Sequence, residues 1–365
     1  MGVTDAHISV IYGGDPYDMT MTLLRSLNVA AVIPKTALVA IKPNLVVPKL
    51  PDEGATTHVR IAAAVIDYLR SKGFERLFLA EGSWVGDSTM EAAELCGYSR
   101  LSKATDVPFY DLKQDGFTTK TVGGISVDVS KRILEADYII NLPVLKGHCQ
   151  TAVTCALKNM KGCISDRSKR EFHSMGLHRP IAALNTLLPP QLVIVDGLCG
   201  DLDFEEGGNP VYAGRMFAGW DPVQIDSYGA SLLGYSVAEV PYIGMAEELG
   251  VGSSCLAEDT IVELNCCAVG GDTASTRKLR ALGKHLVEKD ACSACYAAAV
   301  HALARMDEQG LLDTLGEKLY IGQGYKGKAL DNAGIGNCCR GFSCWVPGCP
   351  PTASDILLRL GSTVK

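Results

Sequence analysis

Cys292-Ser-Ala-Cys295 is a C-x-x-C pair opening a helix-length apolar stretch, Tyr296–Gln309. Two thiolates at that spacing can hold one metal ion or cluster while nearby backbone N–H groups point at the sulfurs. Roughly 40 residues later come Gly336-Asn337-Cys338-Cys339, Cys344 and Gly348-Cys349-Pro350-Pro351-Thr352. A proline after a ligand cysteine can serve as the first residue of a helix, whose N-terminal dipole then faces a negatively charged cluster. The leading reading is four thiolates, Cys292, Cys295, Cys338 and Cys349, around a 4Fe-4S cluster, with Cys339 and Cys344 in reserve. Structural zinc is the alternative, weakened because the second half has no matching C-x-x-C knuckle. A redox dithiol or buried free cysteines are the bland reading.

A second constellation is basic. The run Asn141-Leu142-Pro143-Val144-Leu145-Lys146-Gly147-His148 leaves an apolar strand pattern and enters a loop at its carboxyl end, where open α/β sheets bind ligands. Between Lys146 and Arg179 there are seven Lys or Arg against two acids, Asp166 and Glu171, in a chain whose formal net charge is −7. Such a concentration suits a small anion, although a charge run is usually a solvated helix face. The apolar setting of these lysines argues for function, since Lys is rarely buried without a partner or a task. Lys146, His148 and His173 are the candidate acid–base groups. Lys42, Asn44, Lys158, Asn159 and Lys161 are the candidate substrate contacts. Ile41-Lys42-Pro43-Asn44 is a second strand end of the same form, and Glu81-Gly82 and Asp196-Gly197 place carboxylates at two more. Cys149, Cys155 and Cys163 fall inside the basic segment and could touch the site.

The elements that must position these groups are legible as an alternation. His7–Tyr12, Leu38–Lys42, Leu77–Glu81, Tyr138–Asn141 and Leu192–Asp196 read as buried strands. Thr57–Lys72, Pro222–Leu233 and Glu239–Leu249 read as amphipathic helices, and Thr118–Asp128 as an inserted hairpin around Gly123-Gly124. The alternation predicts an α/β fold: a mostly parallel sheet covered by helices on both faces, with a small C-terminal cysteine-rich iron–sulfur module. Residues 1–265 form the α/β domain, 266–285 the linker and 286–365 the cysteine module, which holds six of the 14 cysteines. With 47% apolar residues, mean hydropathy of +0.13 and a pI near 5.6, the chain is neither disordered nor a general nucleic-acid binder. No apolar run reaches membrane-spanning length, and the opening MGVTDAHISVIYGG lacks a signal-peptide pattern, so no membrane association and a cytoplasmic location are expected. In a reducing compartment, closely spaced cysteines point to metal or catalysis rather than to disulfides. Gly322-Gln-Gly324-Tyr-Lys-Gly327-Lys328 fits parts of two nucleotide motifs, but Ala329 lacks the hydroxyl a P-loop needs and no good helix follows, so it reads as a turn.

Ile41-Lys42-Pro43-Asn44-Leu45, the Asn141–His148 run, Ala156-Leu157-Lys158-Asn159-Met160-Lys161-Gly162, Val195-Asp196-Gly197 and Asp221-Pro222-Val223-Gln224-Ile225-Asp226 together resemble the DUF362 family of uncharacterised proteins, some of which carry an iron–sulfur part. The resemblance spans residues 38–255, and it departs from the family pattern in Gly147 and in lacking a ferredoxin-type cysteine run. Val346-Pro347-Gly348-Cys349-Pro350-Pro351-Thr352-Ala353 is separately similar to a cluster-ligating segment in the small subunits of nickel–iron hydrogenases and of respiratory complex I, which implies that Cys349 is a ligand. The expected function is an iron–sulfur redox or cluster-assisted enzyme, an oxidoreductase or lyase, acting on a small anionic molecule in a basic pocket. The alternatives are a non-enzymatic electron carrier with a redox protein partner, and a zinc scaffold.

Overall fold

In the computed structural model, residues 7–201, 205–207, 210–257, 259–265, 282–291, 293–308, 310–316 and 318–361 are described. The linker expected at 266–285 lies mostly outside them, as does Cys292. The chain divides into two compact units: Met1–Arg170 with His178–Thr273, and Glu171–Leu177 with Ala274–Lys365.

Among the described residues the first unit has twelve strands: β1 (Ile8–Tyr12), β2 (Val39–Pro43), β3 (Leu77–Glu81), β4 (Phe109–Asp111), β5 (Phe117–Val122), β6 (Ile125–Ser130), β7 (Tyr138–Leu142), β8 (Lys146–His148), β9 (Ala152–Thr154), β10 (Leu192–Asp201), β11 (Pro210–Gly219) and β12 (Ile261–Glu263). Eight of them form one sheet in the order β12-β1-β11-β10-β7-β2-β3-β4, and β11 alone runs against the rest. Every residue of β2, β3 and β7 is buried, which is why these central strands read as unbroken apolar runs rather than alternating ones. The predicted hairpin is present as β5–β6. Not legible were the antiparallel β11, whose PVYAGRMFAG lacks a continuous apolar run, the small β8–β9 hairpin beside the sheet, and the three-residue edge strands β4 and β12.

The helix Val59–Ser71 buries Ile61, Ala62, Val65, Ile66 and Leu69, the stripe that its sequence spacing dictates, against the core under β2 and β3. The helix Pro222–Leu232 begins where Asp221 accepts hydrogen bonds from the Val223 and Gln224 N–H groups and Pro222 takes the first turn.

The second unit carries a parallel four-stranded sheet, β13 (Leu286–Glu288), β14 (Leu319–Ile321), β15 (Ala333–Ile335) and β16 (Cys344–Val346), in that order, with the helices Ser293–Glu308 and Ala353–Gly361. After β14 and again after β15 the chain passes through a glycine at positive φ, Gly322 and Gly336, into a single 3-10 turn. The final helix starts at Ala353, with Thr352 and Asp355 capping each other, so Pro350 is not its first residue and Cys349 sits ahead of its N-terminus.

Candidate functional site

The carboxyl ends of β2 and β7 lie side by side, with Lys42 opposite Asn141 and Pro43 opposite Leu142. From there β7 continues through Pro143 and Val144, tied to β10 by Leu145 N–H on the Asp196 carbonyl (2.9 Å) and Asp196 N–H on the Pro143 carbonyl (2.8 Å), into the β8–β9 hairpin. Next comes a helical turn, Ala156–Asn159, too short to be stable by propensity and held instead by a side chain. Asp226 accepts from the Ala156 N–H (2.7 Å) and, more loosely, from the Leu157 N–H, and so anchors the turn that carries Lys158 and Asn159. Burial pushes the Asp226 carboxyl up to about 7, against the hydrogen bonds it accepts.

Three asparagines join these ends in a directed chain. Lys146 Nζ donates to Asn44 Oδ1 (3.2 Å), Asn44 Nδ2 to Asn159 Oδ1 (2.8 Å), Asn159 Nδ2 to Asn141 Oδ1 (2.7 Å), and Asn141 Nδ2 to the Ala156 carbonyl (2.9 Å). Lys146 is fully buried, and its second acceptor is the Ala55 carbonyl at 2.6 Å. Both acceptors are neutral, and burial pulls its ammonium down to about 8. Lys158, 2% exposed, donates to Thr154 Oγ1 (3.1 Å) and forms an ion pair with Glu205. Burial also brings Lys161 down to about 7, with Lys158 adding to the effect and Glu205 opposing it.

His148 closes the turn of its own hairpin: Nδ1 accepts from the Gln150 N–H (3.1 Å) and the Thr151 N–H (3.0 Å). The proton of the neutral ring therefore sits on Nε2, which faces Glu205 Oε2 at 3.2 Å. Burial and Lys158 hold His148 down at about 4. With Nδ1 capped by two backbone donors, the neutral His148 ring presents Nε2–H as a fixed donor toward Glu205, a setting different from the acid–base role expected of it. His173, the third expected acid–base group, lies on the helix Asp166–Ser174, in the Glu171–Leu177 segment that belongs to the second unit.

Lys42 has a different setting from the other lysines. It pairs with Glu81 Oε2 at 2.7 Å, while Glu81 Oε1 accepts from the Gly82 N–H at 2.7 Å. The Gly162 backbone covers the pair so closely that a Cβ there would lie 1.9 Å from Glu81 Oε1 and 2.9 Å from Lys42 Nζ. Lys169 donates to the Gly82 (3.1 Å) and Ser83 (2.7 Å) carbonyls at the same strand end. Asp196, the other flagged strand-end carboxylate, accepts from the His58 and Leu198 N–H groups, and burial raises it to about 6. The thiols that could have touched the site are protonated, with Cys155 and Cys163 buried and Cys149 partly so: desolvation pushes Cys149 and Cys163 up to about 12 and also raises Cys155 well above its ordinary value.

Glu205, Asp226 and Thr154 were missed as site residues. Asp226 stood within a quoted motif, but nothing in the chain near Glu205 marks it, because its partners are 47 and 57 residues away.

A family model described as "Domain of unknown function (DUF362)" matches residues 39–231. The chain belongs to the DUF362 family. Every residue of the lysine site, Glu205 and Asp226 included, lies within that DUF362 match. A curated relative, the thylakoid-associated protein sll1697 of Synechocystis sp. (strain ATCC 27184 / PCC 6803 / Kazusa), is 27% identical over 224 residues, covering 58% of this chain and 68% of the relative. Among solved structures, the lactate racemase apoprotein from Thermoanaerobacterium thermosaccharolyticum is similar at a TM-score of 0.44 and 14% identity over 63% of this chain. This chain spans 57% of that protein's length. No helix among the described residues is long and apolar enough to cross a membrane.

In the second unit the cysteine-bearing loops are joined by backbone. Gly336 N–H donates to the Val346 carbonyl (2.8 Å), Asn337 N–H to the Gly348 carbonyl (2.8 Å), and Gly348 N–H to Asn337 Oδ1 (3.0 Å). Gly336, at φ 85°, leaves open the space beside Cys295 Sγ, where a Cβ would come within 3.5 Å of the sulfur and 3.6 Å of the Gly348 carbonyl. Cys295, the Cys338 loop and the Cys349 loop thus share one cradle, the kind of close backbone approach that a thiolate-held group requires. Among the described residues no three His, Cys, Asp or Glu side chains are grouped tightly enough to hold a metal ion. Cys292, the fourth expected ligand, lies outside the described residues. Of the reserves, Cys339 packs with Tyr325 and Phe342 as a core residue, and Cys344 lies on β16 opposite Ala333.

Proposed function

We propose that the DUF362 domain of this chain holds a small anionic substrate on its buried lysines and acts on it as an enzyme, with the cysteine-rich unit carrying an iron–sulfur cluster. The observation that carries the reading is the full burial of Lys146 with only neutral oxygens accepting hydrogen bonds from its ammonium, its carboxylate neighbours Glu205, Glu206 and Asp201 acting without a hydrogen bond to it. A buried cation costs several kcal/mol unless something compensates, and an anionic ligand is the compensation that makes sense of keeping it there. In this reading Lys158 Nζ and His148 Nε2–H orient the anion, Lys146 supplies charge from behind the asparagine chain, and Lys161 Nζ, near-neutral at physiological pH, takes up or releases a proton. Calorimetric titration of the full chain with oxalate and with inorganic phosphate tests this. Lys158→Gln and Lys146→Met are expected to weaken binding at least tenfold each. Unchanged affinity in both sinks the proposal.

The approach of Cys295 Sγ to the Gly336–Gly348 backbone that joins the Cys338 and Cys349 loops supports the iron–sulfur part, in which the thiolates draw together on binding the cluster. A 4Fe-4S cluster held there, with Cys292 as fourth ligand, supplies a one-electron donor or acceptor. Iron, acid-labile sulfide and EPR measurements after anaerobic preparation decide it: one zinc and no iron per chain points to the structural zinc alternative. A stoichiometric redox protein partner recovered without any retained small ligand points to the electron-carrier alternative.

A further inference from the structure

We propose that Glu205 is the resident counter-anion of the lysine site, and that the ligand of the site is a small carboxylate whose carboxylate group takes the place of the Glu205 carboxylate between Lys158 and His148. The inference rests on the anion-site reading above and names the substrate class.

Glu205 presents one oxygen to each of two donors: Oε1 to the Lys158 ammonium and Oε2 to His148 Nε2 at 3.2 Å. A planar carboxylate spans such a pair of donors naturally, and charged and polar donors on separate oxygens are the strong form of the interaction. The ring cannot turn acceptor on that side, because Gln150 and Thr151 N–H groups occupy Nδ1.

Neither donor depends on Glu205 for its position. Lys158 is held by the turn that Asp226 anchors and by Thr154 Oγ1, and His148 by the β8–β9 hairpin. Glu205 itself comes from the connection between β10 and β11, and none of the strand-end elements that build the site contributes it. Its side chain is 16% exposed, against 1% for Lys158 and 4% for His148, so of these three it is the one nearest to solvent. The other buried pair offers a contrast. Glu81 is sealed against Lys42 by the Gly162 backbone and cannot be exchanged without moving main chain. Lys146 also acts on the Glu205 carboxylate and Glu205 on Lys161, while Glu206 and Asp201 act on Lys146 as well, so several cations share the site with Glu205 and attract an incoming carboxylate.

The test uses the full chain at pH 7 with acetate, oxalate and inorganic phosphate as probes. Glu205→Gln keeps the shape but removes the competing charge, so it is expected to bind acetate and oxalate at least tenfold more tightly than the parent protein, and Lys158→Gln in that background is expected to abolish the gain. A larger gain for phosphate than for oxalate overturns the carboxylate assignment. Carboxylate binding that depends on Lys158 but does not strengthen in Glu205→Gln overturns displacement while leaving the anion-site reading intact, whereas absence of any anion binding in both folded proteins overturns both. Hydrogen exchange on the parent protein needs no variant. Oxalate is expected to speed exchange at Glu205–Gly207 and slow it at Lys158–Lys161, and unchanged exchange at Glu205–Gly207 under saturating oxalate overturns the proposal.

Discussion

Replacing Glu81 with Gln removes the negative partner of Lys42 while keeping the side chain's shape. The pair is 2.7 Å apart with side-chain exposures of 0% and 4%. At an effective dielectric of about 20 the direct attraction at that separation is ~6 kcal/mol, and it offsets the cost of taking both ions out of water. In the Gln variant the attraction is lost and the burial cost of Lys42 stays. Nor can the amide substitute cleanly: one carboxylate oxygen accepts from Lys42 and the other from the Gly82 N–H, so an NH2 group must face a donor on one side. The Gly162 backbone over the pair leaves no room for the side chain to rotate away. The expected loss is about 3–5 kcal/mol. Urea denaturation followed by circular dichroism reads it as a fall in midpoint at constant m-value. The double variant Lys42→Met/Glu81→Leu replaces the pair with apolar volume and is expected to come within about 1 kcal/mol of the parent or to exceed it, with oxalate affinity unchanged. A loss below about 1 kcal/mol for Glu81→Gln refutes the reasoning. Loss of oxalate binding in the double variant restores Lys42 to the substrate contacts that its sequence context suggests.

Gly162→Ala forces a Cβ to within 1.9 Å of Glu81 Oε1 and is expected to destabilise the chain by about as much as breaking the pair, readable in the same urea titration. Asp226→Asn exchanges one of two acceptors over the Ala156–Asn159 turn for a donor, so a loss of about 1–3 kcal/mol is expected together with weaker oxalate binding, because the turn carries Lys158. The pH dependence has a definite sign. Lys146 and Lys161 have folded pKa values of about 8 and about 7 against an ordinary 10.5, so above pH 7 the folded chain sheds protons that the unfolded chain keeps. Stability of the ligand-free protein is expected to rise from pH 7 to about 9 while anion affinity falls, by thermal melts and calorimetry across that range. Above about 9 the buried thiols Cys149 and Cys163, raised to about 12, reverse the stability trend.

Much of the first unit was written locally. The five predicted strands and three predicted helices are present within a few residues of their expected limits, because burial on both faces demands unbroken Val, Ile and Leu runs and one-sided burial demands a helical stripe. The antiparallel β11 and the β8–β9 hairpin were illegible for the opposite reason: their pairing rests on partners distant in sequence or on a side-chain cap, not on a periodic pattern. In the second unit the turn after Gly322 was legible, but its repetition after Gly336 was not, because the two segments share little beyond Ile321-Gly322 and Ile335-Gly336.

For the site, residue types alone indicated that lysines in an apolar setting needed a partner or a task, and that Lys42 and Lys146 lie at or just beyond strand ends. They also supplied the cysteine spacing and the DUF362 motifs. Which task each residue has was decided by tertiary structure. Lys42 faces Glu81 under a glycine, Lys146 donates only to neutral oxygens, and His148 has its tautomer fixed by its own turn. The partner of Lys158, Glu205, is 47 residues away. The physical reason is that a charge's role depends on what shares its low-dielectric surroundings, and those neighbours are assembled by sheet order and hairpin closure, which spacing along the chain does not encode.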